Sequence, residues 1–381
     1  MRRRVLSLSL AAVVVAMSAA VSGGVAVGQG EVREDLVVNG ERVQPPSGWQ
    51  APRKIEFGEP RAHGGAHVQS SIRSWSTEDQ IAYLESLDQP PLTAQVPARG
   101  PVPDKAVDER VVDERVDVDR GVEITVPPVV GTATGVAAST ADGTIRPAAL
   151  TYDGTTPSSA VGKLFMLEGD TVRSLCSAAV VVANNRSTVM TAAHCLDTPG
   201  IDAVAFVPRY DYGTAPLGVW WLAAAFTSSC YTDVETACDW AFGVAHFNNG
   251  VPIQDVTGAN GISFGYENVW QVEMHLYGYP ARPTWVGLGG EYQVRCADLV
   301  DTVQVWQNRY HYSDCLMGPG ASGGPWLAAF DSTTRLGIIG GINSFMFCPD
   351  PSCENPDTGI HTSRLRSHTA SDYASVQNLY P

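Results

Sequence analysis

His194 and Ser322 stand 128 positions apart, and each sits in a peptide suited to nucleophilic chemistry. Thr191-Ala192-Ala193-His194-Cys195 sets an imidazole beside a cysteine at what reads as a strand end. Gly320-Ala321-Ser322-Gly323-Gly324-Pro325 sets a hydroxyl in a glycine-rich turn. A serine hydroxyl is a weak nucleophile near neutral pH. It becomes effective when an imidazole accepts its proton and backbone N–H groups face the developing oxyanion. Asp239, in Cys238-Asp239-Trp240-Ala241, lies between the two peptides and is the candidate to orient the imidazole, with Asp211 and Asp233 as rivals. His246, His275 and His311 read as packing residues.

The elements that must hold these groups read as strands. Val161–Leu167, Cys176–Ala183, Ser187–Thr191, Ala203–Pro208, Val219–Phe226 and Ala241–His246 make a first set. Trp270–Tyr277, Glu291–Ala297, Thr302–Arg309, Pro325–Ala329 and Leu336–Ile342 make a second. Gly, Pro, Asn and Asp punctuate them, and many short strands with little helix predict an all-β sandwich or barrel. Ser367–Tyr380 reads as a C-terminal surface helix with Ser371 as a cap.

The chain before about residue 151 has another character. Residues 1–26 read as a signal peptide: Arg2-Arg3-Arg4 opens it, an apolar stretch follows, and small residues offer a cleavage site. Residues 27–150 are rich in Pro, Val and charge and hold no cysteine; they read as a poorly structured pro-segment and linker. One helix is predicted there, after the capping-box-like Thr77-Glu78-Asp79-Gln80, and Gly131–Gly143 has linker composition. Residues 151–381 are then the catalytic domain.

Eight cysteines, all after residue 175, fit an oxidising compartment and so a secreted protein. Pairing in sequence order is the simplest of the 105 arrangements open to eight cysteines: Cys176–Cys195, Cys230–Cys238, Cys296–Cys315 and Cys348–Cys353. No Cys-x-x-Cys or Cys/His cluster has zinc spacing, and no EF-hand-type run is present, so no metal or organic cofactor is expected. A formal charge of −15, with only Lys54, Lys105 and Lys163 as lysines, argues against nucleic acid as a partner. No later segment approaches the ~20 apolar residues of a membrane span. A monomer acting on protein or peptide substrates is the default expectation.

The TAAHC peptide, the Asp-Trp-Ala peptide and GASGGP, in the order His, Asp, Ser, closely resemble the trypsin-like serine peptidases. The secreted bacterial branch that includes the glutamyl endopeptidases is the most similar. The resemblance covers about residues 155–381. It implies two six-stranded antiparallel β-barrels with the catalytic groups between them. It implies that His194 is general base and acid, that Asp239 orients it, that Ser322 attacks, and that the N–H groups of Gly320 and Ser322 form an oxyanion hole. It also implies that Cys176–Cys195 braces the histidine segment and Cys296–Cys315 the approach to the nucleophile.

Two features depart from the best-known members, the residue before the nucleophile and the specificity pocket. Ala321 precedes the nucleophile where many carry Asp, so no ion pair to a freed N-terminus can form there. Leu316 stands where trypsins hold an acid, and Asn343 where glutamyl members use His. An uncharged pocket lined by Leu316, Met317, Asn343 and Ser344 is the resulting expectation. Two other readings use the same residues. Gly320–Gly324 also satisfies the G-x-S-x-G pattern of α/β-hydrolase esterases, with Asp357 and His361 downstream; that fold demands a helix where Pro325 stands. A protease-like binding module without activity is the non-enzymatic reading.

Overall fold

Apolar residues recur in short β-branched and alanine-rich runs, and among the described residues the chain answers with strands and three short helices. The computed structural model describes residues 36–57, 124–133, 149–152, 157–169, 171–232, 236–266, 269–281, 290–305, 308–346 and 359–381. In chain order the strands are β1 (Val37–Val38), β2 (Glu41–Arg42), β3 (Arg53–Glu56), β4 (Thr125–Val126), β5 (Ala149–Tyr152), β6 (Val161–Glu168), β7 (Thr171–Val180) and β8 (Thr188–Thr191). Then follow β9 (Ala203–Pro208), β10 (Trp220–Thr227), β11 (Ala241–Ala245), β12 (Gly261–Ser263), β13 (Val272–Gly278) and β14 (Val294–Val305). The last are β15 (Asn308–Ser313), β16 (Pro325–Asp331), β17 (Leu336–Ile342), β18 (Phe345–Met346) and β19 (Ile360–Ser363). Helix α1 is Ala193–Leu196, α2 is Ile253–Thr257 and α3 is Ser367–Val376.

The first set of strands closes on itself. The order is β11-β8-β7-β6-β9-β10, and β10 pairs back with β11, which makes a six-stranded barrel. Closure removes the exposed edges that an open sheet would carry. Strand β6 shows how the side chains divide. Leu164 and Met166 point into the main core, while Phe165 and Leu167 join a second cluster with Tyr210 and Tyr279. That is the period-2 alternation of a strand buried on both faces.

The second set forms a sheet ordered β18-β19-β15-β14-β13-β16-β17-β12-β4, with β5 on β14. Its core gathers Met274, Leu276, Val294, Val300, Met317 and Trp326. The ends β17 and β19 approach each other without a ladder. The Ile342 N–H donates to Thr362 Oγ1 at 2.7 Å, and the Ser344 N–H to His361 O at 3.1 Å. Six strands (β13 to β17 with β19) thereby surround the second core, in keeping with the all-β expectation.

Three elements differ from the sequence reading. The two strands expected at Glu291–Ala297 and Thr302–Arg309 are one long strand, β14, followed by the hairpin partner β15. No Gly or Pro interrupts Val294–Val305, and Asp298 is absorbed by hydrogen bonds from Ser313 Oγ at 2.8 Å and the Asp314 N–H at 2.7 Å. Helix α3 is not a surface helix. Ala370, Tyr373, Ala374 and Val376 enter the first core, with Tyr373 against Phe242 and Phe264. Ser371 lies inside this helix, donating to Ser367 O at 2.9 Å, and the start is set by the Arg366 N–H on Thr369 Oγ1.

The chain before residue 151 also takes part in the fold. Leu36–Pro381 is a single compact unit. Within it β1 and β2 form a hairpin across Asn39 and Gly40, both at positive φ as a tight two-residue turn requires. Strand β3 adds to the edge of β10, and β4 pairs with β12. The helix expected after Thr77 lies outside the described residues, as does most of the Gly131–Gly143 stretch.

The described cysteines pair in sequence order: Cys176–Cys195, Cys230–Cys238 and Cys296–Cys315. Cys348 and Cys353 lie outside the described residues. Replacing Cys176 and Cys195 together by alanine is expected to lower unfolding stability by about 2–5 kcal/mol. Denaturant titration of the oxidised protein measures it.

Candidate active site

His194 occupies the single turn α1, directly after β8. The disulfide from Cys195 to Cys176 ties that turn to β7. Asp239 follows a 3-10 turn at Thr236–Cys238, which the Cys230–Cys238 disulfide fixes, and precedes β11. Strands β8 and β11 are neighbours in the first barrel, so two segments 45 residues apart meet. His194 Nδ1 lies 2.8 Å from Asp239 Oδ2, and the His194 backbone N–H donates to Asp239 Oδ1 at 3.0 Å.

The Asp239 carboxylate is 1 % exposed. A buried charge is tolerated only when its oxygens are taken up by donors. Besides the two bonds from His194, Ser344 Oγ donates to Oδ2 at 2.5 Å, and the Asp239 N–H is held by Ser363 Oγ at 3.2 Å. Burial pushes the Asp239 pKa up. The charge and hydrogen bonds of His194, with that of Ser344, outweigh it, so the carboxyl stays below its ordinary range. For His194, burial opposes the charged form, yet the Asp239 charge and hydrogen bond prevail and hold the imidazole above its ordinary 6.5. Its side chain keeps 23 % exposure, enough for one face to meet a substrate.

Ser322 stands at the turn leading into β16, between glycines at positive φ: Gly320 at +89° and Gly323 at +79°. A side chain at Gly323 would put its Cβ 2.1 Å from Thr191 Oγ1 and 2.8 Å from the Ala192 N. At Gly324 it would lie 1.9 Å from Tyr277 O. The glycines therefore let the nucleophile turn lie against the segment that carries His194.

Ser177 on β7, a residue the sequence did not single out, welds that contact. Its N–H donates to Ser322 O at 2.7 Å and its Oγ to Gly320 O at 2.9 Å. The Tyr279 N–H donates to the same Oγ at 2.9 Å, and Thr191 Oγ1 donates to Ser177 O at 2.8 Å. Within the turn the N–H groups of Ala321, Gly323 and Gly324 are engaged with backbone carbonyls. Among the described residues, those of Gly320 and Ser322 donate to no protein acceptor. These are the two donors the resemblance assigns to an oxyanion.

Three of the four expected pocket residues have other tasks. Asn343 is fully buried. Its Nδ2 donates to Tyr277 O and Ala321 O, and its Oδ1 accepts from the Trp326 indole at 2.8 Å. This one amide thus bonds two backbone carbonyls and an indole N–H. Ser344 is spent on Asp239, and Met317 packs in the second core. Only Leu316 keeps substantial exposure, at 39 %.

Asp211 is engaged elsewhere, capping an exposed turn with Thr214, and Asp233 and Asp357 lie outside the described residues. His275 stacks on Phe330 between Glu273 and Arg295. Burial pushes His311 and His361 down to about 3, which keeps both neutral. His361 stacks on Phe345 in the second half. After Ser322 the chain enters strand β16 rather than a helix, so the strand–turn–helix of the esterase reading is not built.

No family model and no curated protein matches the sequence. Solved structures do. The protease Anisep from Arthrobacter nicotinovorans aligns at 26 % identity with a TM-score of 0.52, over 61 % of this chain and 100 % of that one. A thermostable serine protease, AL20, from an extremophilic microorganism aligns at 26 % identity with a TM-score of 0.50, over 58 % of this chain and 97 % of that one. The chain is a trypsin-like serine peptidase of the chymotrypsin fold. In such a peptidase fold the Ser177 bonds take on weight, since they tie the nucleophile turn to the barrel that holds the imidazole.

Two predictions follow from this geometry. Ser177→Ala leaves Gly320 O and the Tyr279 N–H without their hydroxyl partner, at a cost of about 1–3 kcal/mol in stability. Peptide hydrolysis should fall in kcat more than it rises in KM, and steady-state kinetics beside thermal unfolding tests both. For the imidazole, the active form is unprotonated, so kcat/KM should rise with pH through a midpoint above 6.5. In Asp239→Asn the raising charge is gone and burial remains. The midpoint should move to lower pH, and kcat should drop by ~10⁴-fold. A pH–rate profile in which the midpoint stays fixed would contradict this coupling.

Proposed function

We propose that this peptidase is a secreted endopeptidase acting through an acyl-enzyme on Ser322. The observation that carries the reading is the His194–Asp239 hydrogen bond of 2.8 Å, with the Ser322 turn pinned by Ser177 against the segment bearing that imidazole.

In the proposed reaction His194 Nε2 takes the Ser322 hydroxyl proton as Oγ attacks the scissile carbonyl carbon. The oxyanion is met by the N–H groups of Gly320 and Ser322. Asp239 keeps the imidazole in the tautomer with Nδ1 protonated and stabilises the imidazolium. His194 then gives the proton to the departing amine, and the acyl group remains on Ser322. A water, deprotonated by the same imidazole, attacks the ester, and the imidazolium returns that proton to Ser322 Oγ as the acid leaves. Each half-reaction moves one proton through one nitrogen.

Protein or peptide chains are the proposed substrates, and a monomer is the proposed active species. The Leu316 side chain is the lining group nearest in sequence to the nucleophile that stays open, which supports an uncharged preference. Export is supported by the character of residues 1–26 and by the three disulfides. No helix among the described residues is long and apolar enough to cross a membrane.

Intact mass before and after diisopropyl fluorophosphate tests the reading. One adduct per chain is expected on the secreted protein, and none on Ser322→Ala. Both Ser322→Ala and His194→Ala should lose ~10⁴-fold or more of peptide hydrolysis. Hydrolysis surviving both substitutions, or a folded protein that never labels, would sink the proposal; the second outcome is what an inactive binding module gives.

A further inference from the structure

The first barrel carries a seventh strand that comes from far upstream. Strand β3 pairs antiparallel with β10, with Arg53 opposite Thr227, Lys54 opposite Phe226, Ile55 opposite Ala225 and Glu56 opposite Ala224. The ladder continues as the Phe57 N–H donates to Ala223 O at 3.0 Å. Ahead of it, Leu36, Val38 and Val43 are buried in the main apolar core that the barrel shares with helix α3, and Trp49, Ile55 and Phe57 pack against that core. A removable inhibitor would be expected to fill a cleft. This segment instead supplies core side chains.

Its polar contacts lock the same seat from three directions. Gln377 Nε2, just past helix α3, donates to Val37 O at 2.6 Å. Ser229 Oγ, after β10, donates to Gln50 O at 2.9 Å. The Trp49 indole donates to Asp372 Oδ1 at 2.9 Å. Asp372 is a buried carboxylate on α3, and its other oxygen accepts the Trp240 indole at 3.0 Å. Two indoles thus serve one buried carboxylate. One belongs to the upstream segment and the other directly follows Asp239. Arg53 adds an ion pair to Asp197, three residues after His194.

We propose that residues 36–57 are a permanent part of the mature enzyme, a second chain in waiting: when the linking stretch 58–123 is cut, the segment stays seated on β10 and α3. The expected pro-segment of 27–150 is therefore not shed whole. Processing removes what joins the two parts and leaves a non-covalent complex. Strand pairing gives the seat its register, the three aliphatic side chains give it depth, and Trp49 gives it a buried charged partner. None of these contacts involves the Ser322 hydroxyl, so the seat stands or falls independently of the catalytic reading.

The test uses the full chain with a sequence-specific protease site, flanked by Gly-Ser spacers, placed within 58–123. After cutting, native size-exclusion chromatography with intact-mass detection follows the fragment that carries 36–57. It is expected to co-elute with the body and to separate only in denaturant. Elution of the fragment apart from the body, whether the body stays folded or not, overturns the proposal. In the same cut protein Trp49→Ala should raise fragment release by about tenfold or more, as loss of a hydrogen bond to a charged acceptor does. If Trp49→Ala does not fold, Trp49→Phe keeps the ring, removes the N–H and should move release in the same direction. Release equal to that of the parent would overturn the role given to this seat.

Discussion

A negative charge at Asp239, withdrawn from water, is the constraint around which the two halves are arranged. A carboxylate that is 1 % exposed needs donors on every side, and no single strand can supply them. His194 gives two from the first barrel. Ser344, beyond β17, gives a third from the second half, and Ser363 at the end of β19 receives the aspartate's own N–H. The seam between the halves is therefore drawn to this group. The ionised carboxylate costs desolvation, and what offsets that cost is the same set of bonds that fixes the imidazole.

The nucleophile turn obeys a different rule, that of close backbone approach. Gly323 and Gly324 let carbonyls and hydroxyls come where no Cβ fits. Ser177 then uses its N–H, its hydroxyl and its carbonyl on four separate groups. One small polar side chain in the barrel wall sets where the Ser322 and Gly320 peptides lie. An apolar residue there would leave two backbone groups, Gly320 O and the Tyr279 N–H, without their hydroxyl partner, each costing about 1–3 kcal/mol. Across the same seam Lys163 is buried beside Glu291, at 3.6 Å, with the Tyr210 ring 4.6 Å from its Nζ. Burial pulls this ammonium down to about 8 while Glu291 opposes the shift. Breaking such a pair by removing one partner leaves an uncompensated buried charge, so it acts as a fastener between the halves rather than as surface decoration.

The margin of the first barrel shows how far the fold extends beyond its catalytic segment. Helix α3 is rich in Ala, Ser and Thr and has no strong apolar stripe, yet it is buried: Tyr373 packs against Phe242 and Phe264, and Ala370 and Ala374 enter the same core. Asp372 on the same helix is pushed up to about 6 by burial, with the Trp240, Trp49 and Ser228 hydrogen bonds pulling the other way. The upstream hairpin and strand complete that environment. Acidic and proline-rich composition before residue 151 concealed core-forming pieces as short as Leu36–Val43.

What the sequence determined by itself was local. TAAHC and GASGGP stand out by their own residues, since a glycine-rich turn or a histidine beside a bridging cysteine needs no distant partner to be recognised. Alternating apolar runs placed β6, β9 and β17 almost to the residue, and cysteine order matched the three described disulfides. What only the tertiary structure decided was which polar side chains face which. Ser177 and Ser363 are ordinary serines, and Ser344 an expected pocket residue, until strands far apart in sequence bring them to Asp239 and the Ser322 turn. Asn343 stood where a pocket residue was expected, and it is turned inward, where its amide bonds Tyr277 O, Ala321 O and the Trp326 indole. Strand β3 found β10 across more than 160 residues of chain. Local propensity records what a segment can form. The pairing of buried polar groups and strand edges is set by the whole chain, because each must be satisfied by whatever the fold brings within hydrogen-bond reach.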